Sequence, residues 1–194
     1  MSFPFGGKRV KQILELVHSD VFGPVKVPSL GKSMYYVLFI DDFSSNTWIY
    51  FLKKKSKVFD RLKECKALVE NQTKKRIKVL RTDNGGEFCS KEFEEFCKKC
   101  GIAWQKTTPY TPQQNGVTER MNETLMERAR SILSGVGLGQ EFWVEAVDTT
   151  CYLVNMSPSS ALEDKTPQEA WIGKKPSLSC LRVFGCDAYV HVPM

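Results

Sequence analysis

"LRTDNGGEF" (residues 80–88) ends an apolar strand on an aspartate and turns at once through Asn84 and two glycines. Such Asx-Gly steps are common turn punctuation, because Asp and Asn tolerate left-handed backbone and Gly has no Cβ to clash. Read alone, Asp83 is either a turn residue or one corner of an acidic site. The decision rests on which other carboxylates the topology brings to the same edge of the sheet.

Working outward from that stretch, "RIKVLRT" (76–82) reads as a strand, and three more strands precede it. "ILELVHSDV" (13–21) alternates with Leu14, Leu16, His18 and Asp20 on one face. "GPVKVPSLGKS" is turn-rich and leads to an apolar strand over 34–41, and "SSN" turns the chain into "TWIYFL" (47–52). Residues 57–72 carry Val58, Leu62, Cys65, Leu68 and Val69 at helical spacing. A helix over 91–100 follows the Asp83 turn, with Ser90 placed to cap it. "IAWQKT" (102–107) is a fifth strand and "TPYTPQQNG" (108–116) a loop. Helices follow over 117–134, with Val117, Met121, Leu125, Ala129 and Ile132 inward, and over 140–155, carrying Trp143 and Val147. Thr166 caps a short helix with Pro167 at its first position, stopped by Gly173. "LRVFGCDAYVHV" (181–192) reads as a terminal strand or hairpin. Residues 1–12 are taken as a leader, 13–157 as the main domain and 158–194 as its extension.

Short turns make the first three strands an antiparallel meander. The helix at 57–72 is a crossover, so the fourth strand runs parallel to the third and to the first. The ends of strands one and four therefore share one edge, which brings Asp20 to Asp83. Asp41 and Asp42 end the oppositely directed second strand and read as turn residues. Glu119 lies in the first turn of the helix at 117–134, about 200° from Val117 and outside its apolar stripe. It can serve the helix dipole there or join the other two acids. Three carboxylates in one place repel, and a pair of divalent cations such as Mg²⁺ or Mn²⁺ relieves that repulsion. Two such ions suit cleavage or exchange of a phosphodiester.

Composition narrows the classes. The 194 residues are 42% hydrophobic with twelve Phe and four Trp, an ordered globular chain. The net charge of +6 suits either a polyanionic partner or an ordinary solvated surface. "MYYVLFI" (34–40), the longest apolar run, is too short to span a membrane, and the N-terminus lacks the apolar stretch of a signal peptide. An intracellular, thiol-reducing setting is expected, consistent with seven irregularly spaced cysteines. Cys97 and Cys100 share an apolar helix face with Phe93 and Phe96, so they are assigned to packing and no zinc site is expected.

With Asp20, Asp83 and Glu119 set in "HSDVFGP", "LRTDNGGEF" and "TPYTPQQNGVTERMNETL", the chain resembles the integrase catalytic core of copia-type retrotransposon Pol polyproteins. In those motifs 62 residues separate the first two acids and 35 the last two. "YYVLFIDDFSSNTWIYFLKKKS", "FWVEAV" and "TPQEAWIGKKPSLSCLRVFGCDAYVHVP" extend the likeness over nearly the whole chain. The resemblance implies an α/β ribonuclease H-like fold, a mixed five-stranded sheet flanked by helices. It implies trimming of element DNA 3′ ends and their joining to target DNA. Two Mg²⁺ or Mn²⁺ ions are implied, one shared by Asp20 and Asp83, the other by Asp20 and Glu119. Double-stranded DNA is the expected partner, self-association into a homo-oligomer is expected, and a nuclear location follows by the same likeness. Asn84 would shape the turn beside Asp83. Gln113, Gln114, Asn115 and Gly116 match a mobile DNA-positioning loop, Arg120 and Asn122 match the pattern that follows the glutamate, and all six, with Asn84, are expected DNA contacts by the same likeness. Relatives often carry a basic residue where this chain has Glu123. A zinc-binding His/Cys module precedes such cores in the family, and by the same likeness this chain is expected to begin after it, as one piece of a polyprotein.

Lys53, Lys54 and Lys55 end strand three on the Asp20 edge and are the candidate phosphate contacts. Lys74, Lys75 and Arg76 fall at the opposite edge. Two other readings stand beside the integrase core. One is a catalytically inactive, transposon-derived binding module. The other is a ribonuclease H-like nuclease acting on RNA.

Overall fold

The computed structural model describes residues 10–83, 85–107, 112–179 and 181–187, with backbone alone at 112–114. Five strands form one sheet in the order β3-β2-β1-β4-β5. They are β1 (Val17–Phe22), β2 (Tyr35–Asp41), β3 (Thr47–Leu52), β4 (Val79–Thr82) and β5 (Ala103–Lys106). β1, β2 and β3 pair antiparallel in sequence, β4 joins β1 in parallel, and β5 joins β4 in parallel. The crossovers are α1 (Val58–Thr73), entered through a 3₁₀ turn at Lys55–Lys57, and α2 (Lys91–Cys100). Then come α3 (Pro112–Val136), α4 (Trp143–Met156) and α5 (Pro167–Ile172). The topology expected from turn lengths and crossovers is the one found.

β2 lies inside the sheet, and its alternation separates two cores. Val37 and Phe39 pack with Val17, Leu52 and Leu80 against Leu62, Cys65 and Val69 of α1 and Phe93 and Cys97 of α2. Tyr36, Leu38 and Ile40 pack on the other face against Leu125, Met126 and Ala129 of α3 and Trp143 and Val147 of α4. Burial on both faces is why this strand reads as an unbroken apolar run. Cys97 is an apolar core side chain, as its helical spacing with Phe93 suggested, whereas Leu68 of α1 faces solvent. Ser90 caps α2 by accepting from the Phe93 amide at 3.1 Å, and Thr166 caps α5 by accepting from Glu169 at 3.0 Å. α5 docks through Trp171, which meets Trp48 edge-on with ring centroids 4.7 Å apart and donates to Gln72.

Several boundaries differ from the sequence reading. β1 starts at Val17, not residue 13, because Leu14 has a left-handed backbone (φ 64°) and its amide donates to Asp41 at 2.7 Å. That turn hides in an alternating apolar pattern. β4 starts at Val79 because the Ile77 amide is taken by the Glu70 carboxylate and the Lys78 amide by the Leu14 carbonyl. α3 begins at Pro112, so Gln113–Gly116 lie in its first turns and are not a loop. Proline is compatible with a first helical position, its missing N–H being unneeded there. The buried face of α3 is also rotated. Thr118, Asn122, Leu125, Met126, Ala129 and Leu133 are buried, while Val117, Met121 and Ile132 are only half-buried. Residues 181–187 make a turn around Gly185 (φ 79°) and not the expected strand, and residues 188–192 of that expectation lie outside the described residues.

At the edge away from Asp20, the Asp41 carboxylate is fully buried and organises the β2–β3 turn. It accepts from the Leu14 amide and from both the amide and hydroxyl of Ser44, at 2.8 and 2.6 Å. Burial raises its pKa, against those hydrogen bonds. Asp42 contacts His18 Nε2 at 2.9 Å. Both acids are structural, as their strand direction required. Replacing Asp41 with Ala strands several buried donors, and we expect a loss of about 3 kcal/mol in urea unfolding.

Candidate active site

The parallel β1–β4 pair builds the site. Its register sets His18 opposite Arg81 and Ser19 opposite Thr82, so one further step sets Asp20 beside Asp83. Opposed residues of a parallel pair point to the same face. For Asp20 that is the α3 face, since alternate residues of β1 (Val17) and β4 (Leu80) enter the α1–α2 core. Just beyond, Gly23 turns the chain at φ 119°, and a Cβ there would stand 2.6 Å from the Met34 carbonyl. The β1–β2 connection therefore needs this glycine.

Asp20 sits in an unfavourable place for a charge. Burial first, then the neighbouring Asp83, with smaller contributions from Glu119 and Glu87, raises its pKa to about 6, against a hydrogen bond from the Val21 amide. Asp83, Glu119 and Glu87 thus all lie within electrostatic reach of Asp20. The Asn122 amide, 6% exposed, donates to Asp20 Oδ2 at 2.8 Å. Asn122 therefore points at the acid and not outward to DNA, correcting its expected place. The polar residue faces inward because a buried carboxylate needs a donor. Tyr36 is buried nearby, and burial and the charge of Asp20 both raise its phenol pKa. Asp83 is held by its own turn, with Oδ1 accepting from the Gly85 amide at 3.0 Å. Asn84, between them, lies outside the described residues.

Glu87 is the residue the sequence reading missed. Its side chain is 7% exposed and pairs with Lys55 Nζ at 3.3 Å. The carboxylate folds over Gly85, where a Cβ would meet it at 2.8 Å. The only hint in the sequence was an acid four residues after Asp83. Lys55 is therefore engaged within the protein, leaving Lys53 and Lys54 as the exposed ammonium groups at that end of β3. Glu119, Arg120 and Glu123 are exposed on α3. Asn115 is half-buried and accepts the Thr118 hydroxyl through its side chain at 2.7 Å, and Gly116 is buried. The side chains of Gln113 and Gln114 lie outside the described residues.

Among the described residues no three His, Cys, Asp or Glu side chains are close enough to enclose an ion. The donor set nonetheless fits a hard divalent cation that keeps water ligands. It offers carboxylate oxygens crowded by like charge. Asn122 Oδ1 is moreover buried without a partner among the described residues.

A mixed sheet of this order with acids at the ends of β1 and β4 is a ribonuclease H-like fold. The integrase core domain model matches residues 11–112, a stretch that holds Asp20 and Asp83 and stops before Glu119. The chain is 50% identical over 193 residues to the retrovirus-related Pol polyprotein from transposon TNT 1-94 of Nicotiana tabacum, covering all of this chain and 14% of that protein. It is 36% identical over 176 residues to the Pol polyprotein from transposon RE2 of Arabidopsis thaliana, covering 91% of this chain and 12% of that one. The chain thus spans about a seventh or less of these curated relatives. Among solved structures, a chain of the simian T-cell lymphotropic virus intasome with PP2A regulatory subunit B56 gamma superposes with TM-score 0.68 at 18% identity, covering 96% of this chain and 63% of that chain. The HTLV-2 integrase catalytic core in complex with magnesium (trimeric form) superposes with TM-score 0.60 at 20% identity, covering 81% and 95%. This chain belongs to the integrase core domain family, in its copia-type retrotransposon branch.

The raised pKa of Asp20 has a consequence for stability. Ionisation is harder in the folded than in the unfolded chain, so its penalty is absent below about pH 4. The penalty grows as pH rises from about 4 to 6 and is complete above that. In EDTA, Asp20→Asn should therefore be more stable than the parent by about 2–3 kcal/mol at pH 7.5 and nearly equal to it at pH 4. Denaturant unfolding at the two pH values measures this.

Proposed function

We propose that this chain is the catalytic core of a polynucleotidyl transferase that trims DNA 3′ ends and joins them to target DNA. The observation that carries the reading is Asp20 and Asp83 one step past the last paired residues of β1 and β4, with Glu119 close enough to perturb Asp20. Asp20 and Asp83 would hold one Mg²⁺ or Mn²⁺ ion, and Asp20 and Glu119 a second. Such ions, when bound, activate the attacking hydroxyl and neutralise the leaving oxygen of an in-line displacement.

The chain's own groups prepare that site. Asn122 fixes one oxygen of Asp20, and the Gly85 amide fixes one oxygen of Asp83. The carboxylate geometry is thereby set before substrate arrives, which lowers the reorganisation the reaction requires. Lys55 neutralises Glu87, so that acid adds less repulsion toward incoming phosphate. Lys53 and Lys54 supply sequence-independent attraction for the DNA backbone. Double-stranded DNA is the proposed substrate, and self-association and a nuclear site of action belong to the same proposal.

A second reading, a binding module without turnover, is favoured by one observation. Glu123 lies exposed on α3, one helical turn beyond Glu119, where an acid repels phosphate. A disintegration assay on a branched DNA separates the two. Metal-dependent resealing by the parent, reduced at least about a hundredfold in Asp83→Asn and Glu119→Gln, is the expected result. Folded protein that binds the DNA without resealing it would establish the binding module instead.

A further inference from the structure

Across α3 from Glu119 lies a groove of about 390 Å³. Arg120, Thr124 and Arg128 line it from α3, and Ser157, Ser159 and Ser160 line it from the turn after α4. Arg120, Thr124 and Arg128 recur at i, i+4 and i+8, one stripe of a helix. Met121 and Val154 contribute apolar surface, and no acid lines the groove. Neither guanidinium has an ion-pair partner among the described residues, although most other paired cations on this molecule sit beside a helical neighbour of opposite sign. Thr124 and Ser157 already donate their hydroxyls to the carbonyls of Arg120 and Leu153, at 2.8 and 2.7 Å. Ser159 and Ser160 complete that wall. Arg120 lies back over Gly116, where a Cβ would stand 3.0 Å from Nη1. The bare Cα leaves room for the guanidinium there.

We infer that this groove is a second DNA contact, a phosphodiester-binding channel in which Arg120 and Arg128 grip the backbone of one strand. The inference rests on the DNA-joining reading and extends it to a surface outside the acidic site. The backbone positions of the two arginines, eight residues apart, are separated by about 12 Å along the helix, which suits a run of phosphates better than one small anion. Arg forks pair well with phosphate oxygens, and a hydroxyl-rich opposite wall adds donors without adding a base-reading group. Binding here is therefore sequence-independent and salt-sensitive. Ser45 of the β2–β3 turn also lines the groove, so it reaches toward the edge away from Asp20 and is a contact separate from the acidic site.

The test is fluorescence anisotropy with a labelled duplex over a KCl series, in EDTA so that no transfer chemistry intervenes. Each lost phosphate contact lowers the slope of log K against log salt by about 0.9. Arg128→Ala should show that change with roughly tenfold weaker binding, and Arg120→Ala/Arg128→Ala about twice the change in slope. Arg130→Ala, exposed on the same helix but outside the groove, is the control and should leave the slope unchanged. Equal effects from Arg130→Ala and Arg128→Ala would overturn the proposal, since the helix would then act only as a diffuse field. Unchanged binding by a folded Arg128→Ala protein would overturn it too. So would stabilisation of the parent by tripolyphosphate with no dependence of DNA binding on Arg128, which would mark a small-anion site. Because binding is read without metal, a groove-dependent slope in a protein that never reseals DNA would separate this site from the catalytic reading.

Discussion

The parallel pairing of β1 with β4 brings Asp20 and Asp83 to one end of the sheet, and the surroundings of the site follow from the repulsion this creates. A carboxylate placed among like charges and partly withdrawn from water resists ionisation, as the pKa of Asp20 near 6 records. Each nearby polar contact answers that stress. Asn122 donates to Asp20, the Gly85 amide donates to Asp83, and Lys55 neutralises Glu87. Crowding like charges is unfavourable to the folded chain, so site and fold pull in opposite directions. What resists the strain is the apolar packing on both faces of β2.

Helix α3 carries much of the remaining organisation because three of its faces do different work. Leu125, Met126, Ala129 and Leu133 close the second core, and Asn122 on the same face reaches Asp20. Glu119 projects from the flank beside that face. Arg120, Thr124 and Arg128 form the wall of the groove on the other side. A glycine within a helix is unfavourable by about 1 kcal/mol relative to alanine. At Gly116 the bare Cα leaves room for the Arg120 guanidinium.

The fold was legible because its signals are local. The double-sided burial of β2, the caps at Ser90 and Thr166, and short turns against long crossovers were enough to derive the strand directions. Those directions brought Asp20 to Asp83 and sent Asp41 and Asp42 to the other edge. Periodicity failed where polar residues occupy a buried face. Thr118 and Asn122 are invisible to an apolar stripe, so the inward face of α3 was placed too far toward Val117 and Met121. It failed again at Leu14, whose left-handed backbone is held by Asp41, 27 residues away.

The sequence by itself thus determined the layers, the strand directions and the shared edge of the two aspartates, because turn length and side-chain period are properties of neighbouring residues. Only the tertiary structure decided which polar groups serve that edge. Asn122 meets Asp20 across 102 residues, and Lys55 meets Glu87 across 32. The groove likewise joins Arg128 to Ser160 from separate elements. Such contacts depend on how the helices rotate and dock to satisfy buried charge, and no local pattern encodes that balance.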